Sequence, residues 1–137
     1  TLANFLRSQL YATMATLKIG MDILAGEHVA IDSLTGHGGL FKTPLVGQKY
    51  MAAACRAPVT CMKSAGEGGP YGMALLAAYM LQKEGGQSLE AYLAKEVFAD
   101  VERTTLAPDA EDEVGFDQYL ARFRAALEAE KAAVAAF

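Results

Sequence analysis

The sequence predicts an α/β fold built around a βαβ unit with several packed helices. Three observations lead to this prediction. Apolar residues recur at spacings of three and four from Leu6 to Leu24, as on one face of a helix. A strand-like run, a helix-like run and a second strand-like run then follow between residues 28 and 62. A second glycine-rich loop leads into another apolar helix.

The first predicted helix is amphipathic and ends near Gly26. The chain begins Thr1-Leu2-Ala3 with no initiator methionine and no signal-peptide pattern, and this helix starts almost at once. We therefore expect a piece of a larger protein, with processing of a small natural protein as the alternative.

The predicted βαβ unit comes next. Residues His28–Leu34 alternate like a short strand, and the Gly36–Gly39 loop follows. The Thr43–Pro44 pair resembles an N-cap with proline at the first helical position, which predicts a helix reaching about Arg56. Residues Val59–Met62 form the second strand. Such a unit is parallel and right-handed.

The rest of the chain is predicted to be mainly helical. The glycine loop Gly66–Pro70 precedes a helix over Tyr71–Leu81 that is apolar all round and should be fully covered. Because two strands cannot cover so much helix, the remainder of the sheet is expected in another part of the protein. Ser88 begins a helix reaching about Phe98, and an acidic surface loop is expected over Glu102–Gly115. The last helix carries an apolar stripe of Phe116, Leu120, Phe123, Leu127 and Val134.

Composition excludes several classes of function. The net charge is −4, and no basic block is present, so nucleic acid is not an expected partner. No apolar stretch reaches the roughly 18 residues that a membrane span needs. Cys55 and Cys61 lie in apolar segments without metal-type spacing. We interpret them as reduced core residues of a cytoplasmic protein, rather than as a disulfide or a nucleophile.

The stretch GHGGLFKTPLVGQ, from Gly36 to Gln48, holds the main candidate site. It is neither a phosphate-binding P-loop, because GxxxxGK[ST] is absent, nor a dinucleotide fingerprint, because Phe41 stands where the third glycine belongs. Glycines between a strand and a helix still expose backbone amides where the helix dipole favours anions. Ligand contact and plain turn geometry both remain open.

The other polar candidates are individually weak. His37 and His28 are interpreted as solvated, Lys42 as a helix-start lysine able to neutralise a phosphate, and Glu67 as structural or solvated. Gln48 is placed to hydrogen-bond back to a loop. The acidic run at 109–113 lacks the alternation and glycine of an EF-hand and is predicted to be a solvated loop. No nucleophile–base pair is readable, so no catalytic residue is assigned.

A family resemblance adds to this interpretation. The residues Gly38-Gly39-Leu40-Phe41-Lys42-Thr43-Pro44, then Gln48, then Pro58-Val59, resemble the C-terminal domain of the FGGY carbohydrate kinases. The segment Gly68–Ala78 is similar to the glycine-to-alanine helix that follows in that family. The likeness is greatest to the xylulokinase and ribulokinase branch. It spans about Leu6 to Met80 and continues more loosely to the C-terminus.

The resemblance implies a nucleotide site. It implies that the chain is a single fragment, residues 1–137, forming the distal part of the C-terminal nucleotide-binding domain of an actin-like (ribonuclease H-like) sugar kinase. Gly38 and Gly39 would contact ATP through their backbone, Leu40 would lie by the adenine or ribose, and Thr43 would hydrogen-bond near the base. Ala53 stands where many members have an aspartate, which removes a local polar contact.

The resemblance also implies partners that the chain alone does not supply. ATP with Mg²⁺ would phosphorylate a pentulose such as xylulose, which is bound with the catalytic aspartate in the N-terminal domain. The isolated fragment is therefore expected to be inactive, and the parent to be cytoplasmic, with a homo-oligomer left open. The alternative hypothesis is a non-catalytic α/β interaction or regulatory module.

Overall fold

Residues 1–136 are described by the computed structural model, in which helices and short strands alternate. The α-helices are α1 (Leu2–Gly26), α2 (Val46–Cys55), α3 (Gly68–Gln82), α4 (Leu89–Tyr92) and α5 (Ala110–Ala135). The strands are β1 (Leu34–Gly36), β2 (Val59–Met62) and β3 (Arg103–Leu106). The mixed α/β class predicted from the sequence is confirmed. Within these residues, no helix combines the length and apolarity that a membrane crossing requires.

The predicted βαβ unit is present. Strands β1 and β2 are neighbours in a sheet of order β1-β2-β3. The Leu34 amide donates to the Pro58 carbonyl at 2.9 Å, and the Gly38 amide donates to the Ala65 carbonyl at 2.6 Å. The residue numbers of the donors and of their acceptors rise together, so β1 and β2 run parallel, and α2 lies in the connection between them. The second strand has the predicted bounds.

Strand β3 was not predicted, and it runs antiparallel to β2. The hydroxyl groups of Thr60 and Thr105 lie 2.7 Å apart, and the Lys63 amide donates to the Glu102 carbonyl at 3.1 Å. Residue numbers rise on one strand as they fall on the other, which is antiparallel pairing. The surface loop predicted over Glu102–Gly115 is therefore wrong: it holds β3 and the start of α5.

The first strand was predicted too early. Residues that follow α1 turn back on that helix, because the His28 amide donates to Ala25 and the Val29 amide donates to Leu24, at 3.1 and 3.0 Å. His28 has φ +59°, the left-handed conformation that closes many helices. These two amides are therefore not available to a sheet, and β1 begins at Leu34.

Helix α2 begins at Val46, two residues later than the predicted proline start. Leu45 has φ +66°, which no α-helix contains, so Pro44 belongs to the preceding turn. The predicted end near Arg56 is confirmed, because Arg56 has φ +54° directly after the last helical residue.

The predicted helix over Tyr71–Leu81 is present, and the cover expected for it is not found within residues 1–136. Helix α3 forms, but it contains no buried residue. Met73, Met80 and Leu81 expose 70%, 77% and 87% of their surfaces. No described element covers this face, although its composition alone predicted a core helix.

The chain divides into two compact units. The first combines Thr1–Leu34, Lys49–Val59 and the residues from Leu106 onward. Its core joins α1, most of α2 and α5, and its buried residues are Tyr11, Met14, Ala15, Ala52, Ala53, Ala54, Ala57, Val59, Phe116 and Leu120. The Tyr11 ring meets Tyr50 and Phe116 edge-to-face at 5.4 Å, a favourable aromatic geometry.

The second unit combines Thr35–Gln48 and Thr60–Thr105. It contains both glycine-rich loops, α3 and α4. Ser88 caps α4 as predicted, because its side chain accepts a hydrogen bond from the Ala91 amide. A π-helical turn, Leu93–Val97, continues α4 toward the predicted end near Phe98. Tyr92 is buried beside Tyr79, with ring centroids 5.4 Å apart.

Candidate functional site

The two glycine-rich loops, distant in sequence, pack backbone against backbone within the second unit. A β-carbon added at Gly68 would lie 3.3 Å from the α-carbon of Gly38. Both glycines have positive φ, +99° for Gly38 and +52° for Gly68. Side chains at these positions would be strained, and at Gly68 a side chain would also press on the other loop. Close backbone approach therefore explains why these two positions are glycines.

A cavity of about 770 Å³ lies beside the loops within the same unit. It is lined by Phe41, Lys42, Pro44, Leu45, Gln48, Cys61, Met62, Lys63, Ala65, Gly66, Glu67, Glu102 and Thr104. These residues come from the first glycine loop, the end of β2, the second glycine loop and β3. A volume of this size falls in the range typical of small-molecule sites.

The predicted contact residues border this cavity without lining it. Gly38, Gly39, Leu40 and Thr43 are absent from its described lining, whereas the adjacent Phe41, Lys42 and Pro44 belong to it. Gly38 caps a short 3₁₀ helix, Gly39–Phe41, and its carbonyl accepts from the Phe41 amide at 3.0 Å. Because its amide also binds Ala65, the backbone polar groups of Gly38 are already engaged.

Gln48 holds the floor of the cavity in place. Its side chain is buried, and its Nε2 donates to the backbone carbonyl of Thr104 at 2.7 Å. The partner is a residue of β3 rather than the loop expected from the sequence. This bond ties the start of α2 to an edge strand, which fixes one wall of the cavity against another.

The charged groups around the cavity are mixed in sign. Lys63 pairs with Glu102 at 3.7 Å, and both side chains are exposed. Lys42 is also exposed, and its aliphatic stem lies against the position of Gly66. Among the described residues Lys42 forms no ion pair, so its ammonium group is available to an anion. His37 is exposed, as expected.

The cysteines are free thiols, and both are half-buried. Burial raises the pKa of Cys55 and of Cys61, although the backbone of Gly36 partly offsets the shift at Cys61. A raised pKa lowers the thiolate fraction at neutral pH, so neither residue has the electrostatics of a reactive nucleophile.

Several residues that line the cavity were not predicted from the sequence. Lys63, Glu102 and Thr104 reach the cavity only because β3 pairs with β2. The β-branched Thr104-Thr105 pair was the available signal for a strand. Ser64 does not line this cavity, although it lies between Lys63 and Ala65 in sequence; its hydroxyl is buried and has no hydrogen-bond partner in residues 1–136.

The comparison with protein families identifies the kind of protein. The model described as "FGGY family of carbohydrate kinases, C-terminal domain" matches residues 1–81, more than half of the 137 residues. The chain belongs to this family. No curated protein and no solved structure gives a match.

Family membership bears directly on the cavity. Both glycine-rich loops lie inside the matched region, as do α1, α2 and β2. Strand β3, with Glu102 and Thr104, lies outside it. An FGGY domain indicates sugar kinase function. The loop-lined cavity of the second unit is the candidate site at which this part of the chain would bind a kinase substrate.

Proposed function

We propose that this chain supplies part of the nucleotide site of an ATP-dependent carbohydrate kinase whose substrate is a pentulose such as xylulose. The observation that carries the proposal is the packing of two glycine-rich loops, both inside the family match, beside one cavity. Phosphoryl transfer needs a place where backbone and a cation approach phosphates closely. Glycine loops next to Lys42 meet that requirement.

The proposed nucleotide contacts are Gly38, Gly39, Leu40 and Thr43, with Lys42 added on geometric grounds. The amides of Gly39 and Leu40 open a 3₁₀ helix and therefore have no partner within that helix. Gly38 contributes by its missing side chain, since its amide and carbonyl are hydrogen-bonded. The parent domain is proposed to have the actin-like fold, with residues 1–137 as one fragment of its C-terminal domain.

Mg²⁺ is proposed to arrive with ATP. No group of three or more His, Cys, Asp or Glu side chains in residues 1–136 is placed to hold a metal ion. Glu67 and Glu102 line the cavity and supply carboxylate oxygens, the ligands that Mg²⁺ prefers. Mg²⁺ bound to ATP neutralises part of the phosphate charge. We propose that the phosphate oxygens supply most of its ligands, because few carboxylates line the cavity.

The proposal extends to the whole protein. The sugar and the catalytic aspartate are assigned to an N-terminal domain, and the kinase to the cytoplasm, with or without homo-oligomers. Because the match is to a C-terminal domain alone, we expect the pure 137-residue chain to phosphorylate no pentulose. A coupled ADP-release assay with xylulose and ribulose checks this expectation, and turnover by the pure chain would contradict it.

An ADP titration followed by amide NMR tests the site. We expect saturable shifts in residues 38–43 and 66–68, and about tenfold weaker binding in Lys42→Gln, the value of one charge-assisted contact. Lys83→Gln is the matched control, because Lys83 lies at the end of α3 and contacts the Tyr79 ring instead. Unchanged amides in both loops would remove the nucleotide assignment.

A non-catalytic interaction module remains the second candidate, and the exposed apolar face of α3 is the observation in its favour. Apolar patches of this kind commonly mark protein-binding surfaces. Sedimentation of the pure chain, with and without Leu81→Lys, separates the hypotheses. If the chain is an interaction module, the unchanged chain should associate and Leu81→Lys should abolish that association. ADP should then have no effect.

A further inference from the structure

A groove between α1 and α5, wholly within the first unit, has the layout of a binding site. Its lining comes from one stripe on each helix, at positions i, i+3, i+4 and i+7: Asn4, Arg7, Ser8 and Tyr11 on α1, and Gly115, Gln118, Tyr119 and Arg122 on α5. The groove encloses about 340 Å³. It lies in a different unit from the proposed nucleotide cavity and shares no lining residue with it.

The groove is positively charged on a chain whose net charge is −4. Arg7 and Arg122 are its only ionised lining residues, and no carboxylate lines it. Neither arginine forms an ion pair with any residue in 1–136. By contrast, Arg56 pairs with Asp117 and Glu113, and Arg124 pairs with Asp22. Both guanidinium groups therefore remain available to bind an anion in the groove.

Tyr11 forms the buried floor of the groove. It is 5% exposed, yet its hydroxyl makes no hydrogen bond to any described residue. The hydroxyls of Tyr79 and Tyr92, in comparison, donate to Gln87 and Gln82 at 2.6 and 3.0 Å. The Tyr11 hydroxyl is therefore free to donate a hydrogen bond to an acceptor that enters the groove. Burial raises the pKa of Tyr11, so the hydroxyl keeps its proton.

Gly115 keeps space open above this hydroxyl. A β-carbon at Gly115 would lie 3.2 Å from the Tyr11 oxygen, closer than an ordinary van der Waals contact. Glycine inside a helix such as α5 costs about 1 kcal/mol relative to alanine. The groove floor is therefore kept open at a position where α5 would be more stable with a side chain.

We propose that this groove binds the phosphoryl group of a small phosphorylated molecule, between Arg7 and Arg122 and above the Tyr11 hydroxyl. Guanidinium groups match phosphate oxygens with paired N–H donors, and two of them balance a dianion. The side-chain amides of Asn4 and Gln118 add donors at the rim. The volume leaves room for a small organic group beside the phosphate.

The test is a titration of the whole chain with inorganic phosphate at constant ionic strength, followed by calorimetry and by NMR of the tyrosine rings. We expect saturable binding that shifts the Tyr11 ring. Arg7→Gln with Arg122→Gln should weaken it at least tenfold, the loss of one good charge-assisted contact or more. Tyr11→Phe should weaken it about threefold to tenfold. Gly115→Ala should also reduce binding.

Lys95→Gln with Lys131→Gln is the matched control, because it removes the same charge at exposed positions outside the groove. It should bind phosphate as the unchanged chain does. Equal binding by the double arginine variant, or an equal response to chloride, would overturn the proposal. Circular dichroism establishes that each variant folds, and the single arginine variants replace the double one if it does not.

Glycerol 3-phosphate forms a second arm of the experiment. Tighter binding than inorganic phosphate indicates that the groove contacts the organic part of a metabolite, whereas equal binding indicates a phosphate site alone. ADP binding at the second unit is measured in the same variants. Loss of phosphate binding with ADP binding intact separates this site from the proposed nucleotide site.

Discussion

The amide of Gly38 donates to the carbonyl of Ala65 across 2.6 Å, and this bond joins the two glycine-rich loops. Gly68 packs on the same residue, so a side chain has no room between the loops. The glycines had two open explanations, turn geometry and ligand contact. The structure accounts for Gly38 and Gly68 by backbone geometry, and this geometry brings both loops to the edge of one cavity.

Gly68→Ala should destabilise the chain by about 1–3 kcal/mol, because Gly68 has positive φ and the added β-carbon would meet the Gly38 backbone. Urea unfolding gives the free energy. Gly69→Ala is the matched control: its β-carbon meets nothing within 4 Å, so its effect should stay below about 1 kcal/mol. Equal effects of the two substitutions would count against the proposed packing.

Gln48→Leu should cost about 1–3 kcal/mol, since it leaves the Thr104 carbonyl without its side-chain donor. We also expect the β3 amides to exchange hydrogen faster, because the bond ties α2 to that strand. Hydrogen exchange followed by mass spectrometry measures this. Gln9→Leu, at an exposed position of α1, should leave both stability and exchange unchanged.

Asp22→Asn should remove a pH-dependent part of the stability. Asp22 accepts from Lys18 at 2.6 Å and also pairs with Arg124 on α5. The Lys18 hydrogen bond is the main cause that lowers the pKa of Asp22 below its usual 3.8. A lowered folded-state pKa stabilises the fold above the usual pKa, and this contribution disappears as the pH falls through the folded-state value.

The expected difference between the unchanged chain and Asp22→Asn is about 0.5–1 kcal/mol at neutral pH, because the pair is partly exposed. It should shrink toward zero in acid. Thermal unfolding across pH checks the trend. Asp32→Asn is the control, since Asp32 is exposed and has no ion pair within residues 1–136. A difference that grew in acid would show that the sign is wrong.

Leu81→Lys should change the stability of the pure chain by less than about 0.5 kcal/mol, because Leu81 is 87% exposed. Met14→Ala, at a position 1% exposed, should cost about 2–5 kcal/mol. Thermal unfolding of both variants makes the comparison. A large loss in Leu81→Lys would mean that α3 is covered in solution, contrary to its exposure here.

Helices with local caps were predictable from the sequence. Ser88 accepts from the Ala91 amide three residues later, and the predicted α4 start followed from that pattern. The periodicity of α1 was equally informative. The acidic run at 109–113 was misread, although Asp109 accepts from the amides of Glu111 and Asp112 and caps α5. Its composition suggested a loop, and the capping signal was overlooked.

Long-range pairings were not predictable. Strand β3 has four residues, and its place depends on β2, about forty residues earlier. Gln48 and its acceptor Thr104 are 56 residues apart. The cavity wall contributed by β3 therefore could not follow from local patterns. The groove lined by Arg7 and Arg122 has the same origin, because α1 and α5 lie at opposite ends of the chain.

By itself, the sequence determined the α/β class, the βαβ unit, the FGGY resemblance and several helix ends. These features depend on periodicity, caps and motifs whose physical causes lie within a few residues. Only the tertiary structure decided that Gly38 meets Gly68, that α3 is exposed and that Tyr11 lines one groove with Arg7 and Arg122. Each of these depends on which distant surfaces pack together, and packing is set by shape and burial across the whole chain rather than by neighbours in sequence.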